Sequence, residues 1–183
     1  MRAVLLSIKP QWCELIASGK KTVEVRKTMP NIDKEFKVYI YCTGGPPYLN
    51  SHNGLCYLED QDTLGNRGPG LYRRLNRRII GEYVCKDIFP IRVFEDGIIQ
   101  DYMWHYLKRS LVPYDDIVNY IGKGKTGFGW NISNLVIYEN PKELSVFRSR
   151  NVKAYIGENG YPMPTHEIRR PPMSWCYVEE VDS

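Results

Sequence analysis

Between Ser18 and Lys27 the chain sets a glycine, four cations and a carboxylate: Gly19, then Lys20, Lys21, Glu24, Arg26 and Lys27, with Thr22 among them. Ammonium and guanidinium groups hold phosphate or carbonyl oxygens, while a carboxylate accepts from an amine or moves a proton. From Thr22 onward the pattern alternates as a strand does, with Val23 and Val25 on one face and Thr22, Glu24 and Arg26 on the other. The valine face packs on a core; the opposite face shows a hydroxyl, an acid and a guanidinium in a row. Alternation turns Lys21 to the valine side unless the turn at Gly19 distorts it. An exposed edge strand with a surface ion pair is the competing reading, and charge runs usually mean no more than that. Turn and patterned face together favour a site.

A second basic cluster, Arg73, Arg74, Arg77 and Arg78, precedes the strand Ile79 to Cys85. Two such clusters flanking one groove bind phosphates, and an aromatic ring nearby stacks a base. Trp12, Trp130 and Trp175 are the candidates, each competing with a plain core role. Glu82 shares a predicted face with Ile80 and Val84, so it sits either at a strand end in water or at the mouth of a cavity.

Other chemistries find little support. Neither GxGxxG nor a P-loop is present, and Gly122-Lys123-Gly124-Lys125 lacks the spacing, which sets nucleotide hydrolysis aside. Cys42, His52 and Cys56 with Asp60 or Asp62 lack the tight ligand pairs of a zinc site, so neither metal nor cofactor is expected. No GxSxG or cysteine–histidine nucleophile context occurs, and His105 reads as a packed helix residue.

The elements that must position these residues follow from periodicity. Ala3 to Ile8 is an apolar run suited to a buried strand. Pro10 fits a first helical turn, Trp12, Leu15 and Ile16 fall on one helix face, and Gly19 closes the helix from a left-handed conformation. Phe36 to Thr43 alternates as a core strand. Residues 44 to 70 are rich in Gly, Pro, Asn and Asp and read as a turn-rich excursion. Ile98 to Leu107 carries either Ile98, Tyr102 and His105 or Ile99, Met103 and Leu107 at helical spacing, and residues 114 to 121 form a second packing helix. Gly127 to Tyr138 runs on as a long strand or strand pair, residues 148 to 172 as a Pro-rich loop, and Ser174 to Glu179 as a strand.

The chain has 183 residues, 43% hydrophobic and 13% aromatic, enough for one domain with its own core. A formal net charge of +4 permits a polyanionic partner without demanding one. Five cysteines without a CxxC pair, and no leader before the first strand, predict a reduced cytoplasmic chain. No apolar run approaches the ~20 residues of a membrane helix, so no membrane partner is expected.

Leu5-Leu6-Ser7-Ile8-Lys9-Pro10, followed by Gly19-x-Lys21-Thr22-Val23-Glu24-Val25-Arg26, resembles the opening of the ASCH domain, a member of the PUA-like superfamily. Ile80-Gly81-Glu82, Trp130-Asn131-Ile132-Ser133, Asn140-Pro141-Lys142 and Pro171-Pro172-x-Ser174-Trp175 are similar to small prophage-type bacterial members. The resemblance implies one α+β, mainly β domain over residues 1–183, a β-barrel with helices packed around it and insertions at about 44–75 and 148–172. It implies RNA or a modified nucleobase as partner, held in a cleft beside the first helix and lined by Lys9, Lys21, Thr22, Glu24 and Arg26, with Glu82 closing it. Ser7, Trp130, Ser174 and Trp175 join that wall.

A branch of the superfamily hydrolyses N4-acetylcytidine with a lysine, a threonine nucleophile and a glutamate, and some relatives cut RNA. For an enzyme, Lys21, Thr22, Glu24 and Glu82 would be the catalytic set. Here Glu24 stands where that branch has its nucleophilic threonine, and a carboxylate does not simply replace an alkoxide. A third reading, a protein-interaction module using the 44–70 loop, predicts neither activity.

Overall fold

The computed structural model describes residues 2–32, 34–52, 55–59, 73–149 and 166–181. The apolar opening forms β1 (Arg2–Ile8), and Pro10 begins α1 (Pro10–Ala17) as the sequence predicts. There follow β2 (Val23–Arg26), β3 (Phe36–Cys42), the pair β4 (Tyr48–His52) and β5 (Leu55–Glu59), the short β6 (Arg73–Arg74), β7 (Arg78–Cys85) and β8 (Ile88–Arg92). Two helices, α2 (Asp101–Leu107) and α3 (Tyr114–Ile121), lead to β9 (Thr126–Asn131), β10 (Ser133–Lys142), β11 (Arg148–Ser149), β12 (His166–Glu167) and β13 (Trp175–Glu179).

β1 lies in the middle of a seven-stranded sheet of order β10-β7-β3-β1-β13-β11-β12, parallel to β3 and antiparallel to β13. Ala3, Val4, Leu5 and Leu6 are all 0% exposed, because a strand covered on both faces needs apolar side chains at successive positions. One face, with Val4, Leu6, Val38 and Ile40, packs against Cys13 and Ile16 of α1. The other, with Ala3, Leu5, Tyr39 and Val178, is closed by Phe147. A second sheet, β2-β9-β8, places Val25 and Ile91 against Met103, Leu107, Ile117 and Ile121 of the two later helices.

Of the two stripes open for α2, the one with Ile99, Met103 and Leu107 is buried, while Ile98 and Tyr102 are more than half exposed. His105 is exposed, its ring edge-on to that of Tyr106 and outside the core. On α1 the core stripe is Pro10, Cys13 and Ile16, and Trp12 is only half-buried.

The 44–70 stretch is not merely loop. Tyr48–His52 and Leu55–Glu59 pair antiparallel as β4 and β5, with β6 on the other side of β4, and Leu49 is fully buried in the core beneath α1. Residues 53–54, 60–72 and 150–165, which fall within the two expected insertions and include Asp60 and Asp62, lie outside the described residues. The Gly127–Tyr138 run divides at Ile132 into β9 and β10. The pairings form three sheets, and among the described residues they do not close into a hydrogen-bonded barrel. No helix among the described residues is long and apolar enough to cross a membrane.

β7 carries an irregularity that changes its faces. Ile40 pairs with Gly81 and Tyr41 with Ile79, so Ile80 is the extra residue of a β-bulge. Ile80 therefore joins the α1-side core with Tyr83 and Cys85, and Glu82 points to the opposite face, not to the one shared with Ile80. Gly81 also lets β10 approach: a Cβ there would stand 2.3 Å from the Val136 carbonyl oxygen.

Candidate functional site

The end of α1 determines where Lys21 points. Ser18 N–H donates to Glu14 O, Gly19 N–H to Ile16 O at 2.8 Å, and Lys21 N–H to Leu15 O at 2.9 Å, with Gly19 at φ 73°. This wrap ends before β2 begins, so strand alternation does not govern Lys21. Its side chain turns under α1 and meets the polar face of β2.

There Glu24 bridges two cations. Lys21 Nζ lies 3.3 Å from Glu24 Oε2, Arg26 Nη2 lies 2.9 Å from Glu24 Oε1, and the three side chains are 1%, 9% and 8% exposed for Lys21, Arg26 and Glu24. Backbone oxygens take further protons: Lys21 Nζ donates to Ser110 O at 2.6 Å and Arg26 Nη2 to Ser7 O at 2.7 Å. Such extra bonds are what make a desolvated ion cluster tolerable. Ser7 is held in turn, its hydroxyl donating to Pro172 O at 2.7 Å. Arg26 Nε is buried without a hydrogen-bond partner among the described residues. Burial lowers the basicity of Lys21, Glu24 opposes that shift, and Arg26 adds to it; the net displacement is downward.

The cluster forms one wall of a cavity of about 590 Å³, within the range of sites for small organic ligands. Ser7, Lys9, Lys21, Glu24 and Arg26 line it together with Gln11 and Trp12 of α1, Thr43, and Val112, Asp116, Ile117 and Tyr120 from the α3 region; Met173 stands at its rim. The Trp12 ring centroid is 5.1 Å from Lys21 Nζ. Three cations against two acids, Lys9, Lys21 and Arg26 against Glu24 and Asp116, leave a formal charge of only +1. Because Lys21 and Arg26 are engaged by Glu24, Lys9 is the exposed lining cation outside any ion pair among the described residues.

The other predicted residues stand elsewhere. Thr22 does not line the cavity; its Oγ1 accepts from Arg109 Nε at 3.1 Å. Glu82, turned to the far face of the large sheet by the bulge, lies 3.0 Å from Lys37 Nζ and accepts a very short hydrogen bond from the Tyr138 hydroxyl. Trp130 is wholly buried against Phe36, and Trp175 is half-buried with Nε1 donating to Thr28 Oγ1 at 3.0 Å. Ser174 contributes its carbonyl to Ser7 N–H at 2.9 Å. Of the three candidate tryptophans, Trp12 is the one at the cavity.

The second arginine cluster divides. Arg78 pairs with Glu143, and Arg74 stacks on Tyr48 with its guanidinium carbon 3.9 Å from the ring centroid. Arg77, in a left-handed turn at φ 66°, lies against Gly44, next to the cavity-lining Thr43. The Arg73 side chain lies outside the described residues. No group of three potential metal ligands occurs among the described residues.

Sequence reasoning missed the Ser110 carbonyl and the α3 wall. Asp116 and Tyr120, four residues apart and so on one helix face, were the available signal. Nothing local said that this face meets Lys21.

Residues 6–96 match the model of the ASCH domain, so the chain carries an ASCH domain over that span. The fold is similar to the crystal structure of ASCH from Zymomonas mobilis, with a TM-score of 0.57 and 17% identity over 97% of this chain and 88% of that one. A Tyr-to-Phe mutant of that protein gives a TM-score of 0.57 at 16% identity, covering 97% of this chain and 91% of the other. A Ser-to-Ala mutant gives 0.57 at 15% identity, covering 97% and 89%. At such identities the likeness is one of fold. A search of the curated proteins finds no match. The matched span contains the β2 signature and stops before α2, α3 and the rest of the cavity wall.

Proposed function

We propose that the protein binds RNA, or a modified nucleobase within it, and that the cavity beside α1 receives one base or nucleotide. One observation carries this reading: Glu24 is held at both oxygens by buried cations on the wall of a cavity that also offers the Trp12 ring. A carboxylate that cannot rotate is a fixed acceptor for an exocyclic amine such as cytosine N4, and an aromatic wall stacks the base. The low net charge of the lining favours a base inside, with phosphates outside near Lys9. On this reading the protein acts in the cytoplasm without a cofactor.

Binding of a short single-stranded RNA to Lys21→Ala, Arg26→Ala and the less buried Trp12→Ala tests it. Each variant is expected to weaken binding, Trp12→Ala by roughly fivefold or more, as loss of a stacking ring does. Unaltered, salt-insensitive binding in all three would remove the cavity from the account.

The lowered basicity of Lys21, in contact with Glu24, favours a second reading in which the pair moves a proton during hydrolysis of an N4-acylated cytidine or of RNA. With the Thr22 hydroxyl turned toward Arg109, water is the nucleophile on this reading. Acetate release from N4-acetylcytidine that disappears in Glu24→Gln supports it; no release from any acylated nucleoside, and no RNA cleavage, excludes it.

A further inference from the structure

The outer face of α2 is largely exposed, since Met103 and Leu107 on the inner face supply the core contacts of the helix. It nevertheless presents Tyr102 at 65% and Tyr106 at 46% exposure, with the exposed His105 between them. The two tyrosines are one turn apart, about 6 Å along the axis. The Tyr106 ring is held against Phe89 and His105, with centroids 5.7 Å and 5.8 Å away. At the end of this stripe stand Lys108 and Arg109, exposed and outside any ion pair among the described residues, with exposed Lys20 on the neighbouring turn. The helix's one acid, Asp101, is at the opposite end.

The cationic end is fastened to the cavity wall. Thr22 N–H donates to Arg109 O at 3.0 Å, Arg109 Nε to Thr22 Oγ1 at 3.1 Å, and Lys21 Nζ to Ser110 O at 2.6 Å. The segment that carries Lys108 and Arg109 is thus joined by hydrogen bonds to the turn that carries the cavity-lining Lys21. Cations followed by rings at helical spacing match a phosphate backbone with unstacked bases; a purely apolar partner would leave the cations desolvated and unpaired.

We propose that this face of α2 carries the nucleotides of a single-stranded RNA that flank the one in the cavity, with Tyr102 and Tyr106 as stacking rings. The inference rests on the cavity reading above and extends it from a one-nucleotide site to a track.

The test compares affinities for a mononucleotide and for a single-stranded RNA of about 12 nucleotides across wild type, Tyr102→Ala/Tyr106→Ala and Tyr102→Phe/Tyr106→Phe. The alanine pair is expected to lose about tenfold or more in RNA affinity while mononucleotide affinity is unchanged, and the phenylalanine pair to retain RNA affinity. Full RNA affinity in the alanine pair overturns the track and leaves the cavity reading standing. So does a wild type that binds the longer RNA no more tightly than the mononucleotide. Wild-type protein that binds neither ligand removes both readings. If the alanine pair changes only self-association in sedimentation, the face serves a second copy of the chain and the inference is wrong.

Discussion

Lys21 Nζ and Glu24 Oε2 lie 3.3 Å apart on side chains 1% and 8% exposed. Two residues that a strand pattern assigns to opposite faces thus meet in the dry wall of a cavity. With Arg26 on the other oxygen, Glu24 is the residue on which the electrostatics of the wall depend.

Removing that carboxylate leaves two buried cations facing each other. Glu24→Ala should therefore lower stability by about 3–5 kcal/mol, the usual effect of breaking a buried ion pair from one side. Lys21→Met should cost less, because Glu24 keeps Arg26 and an unbranched apolar chain fills the same space. Denaturant titration of both variants checks the order. A Glu24→Ala protein as stable as wild type would mean the cluster is hydrated and not buried.

Glu82 belongs to a different cluster. Burial by itself lowers the basicity of Lys37, but its hydrogen bonds with Glu82 and Glu180 more than reverse this, leaving it above the ordinary value. Glu82→Gln should reduce that lift and cost roughly 1 kcal/mol, since Lys37 is partly in water. Ligand affinity should not move, because the bulge at Ile80 directs Glu82 away from the cavity. Lysine side-chain titration by NMR, with a binding curve for the same variant, reads both effects; a large loss of affinity at unchanged stability would bring Glu82 back into the site.

Alkaline pH should destabilise the fold through its enclosed thiols. Burial, aided by Asp87, pushes Cys85 up to about 12, and burial with its neighbour Cys42 raises Cys13 well above the ordinary 9.0. Below 9.0 these thiols are protonated folded or unfolded. Above that value the unfolded chain sheds protons that the folded one keeps, so stability falls with rising pH, by roughly 1.4 kcal/mol per unit and thiol. Lys21 works in the opposite sense: between its lowered value and 10.5 the unfolded state holds more proton, so its contribution improves as pH rises. The thiols outnumber it, and the net slope is downward. Unfolding midpoints between about pH 8 and 11 should show that slope, and Cys85→Val should flatten it; an unchanged slope in the variant would assign the loss to other groups.

What the sequence made legible was local. β1, α1, β2 and β3 follow from apolar runs, a proline at a helix start and strict alternation, and Glu24 and Arg26 of the Gly19 to Arg26 signature share one strand face, which lines a cavity. Contacts set by distant chain were not legible. Lys21 reaches Ser110, 89 positions away, through a turn whose geometry overrides alternation. Glu82 changed faces because one extra residue, Ile80, entered its strand, and alternation counts cannot show a bulge. The β4–β5 pair was hidden because Gly44 to Pro47 on one side and a polar stretch on the other masked its buried Leu49. Trp130 and Trp175 went to the core and its edge, where large rings ordinarily go.

The most direct test is a titration of isotope-labelled protein with a short single-stranded RNA, followed residue by residue by NMR. The Trp12 indole and the amides of Ser7, Lys21, Glu24 and Arg26 are expected to shift together and saturate with one binding constant. Saturable shifts confined to other surfaces, such as that around Arg74 and Arg77, with the Trp12 indole and Glu24 unmoved, would contradict it.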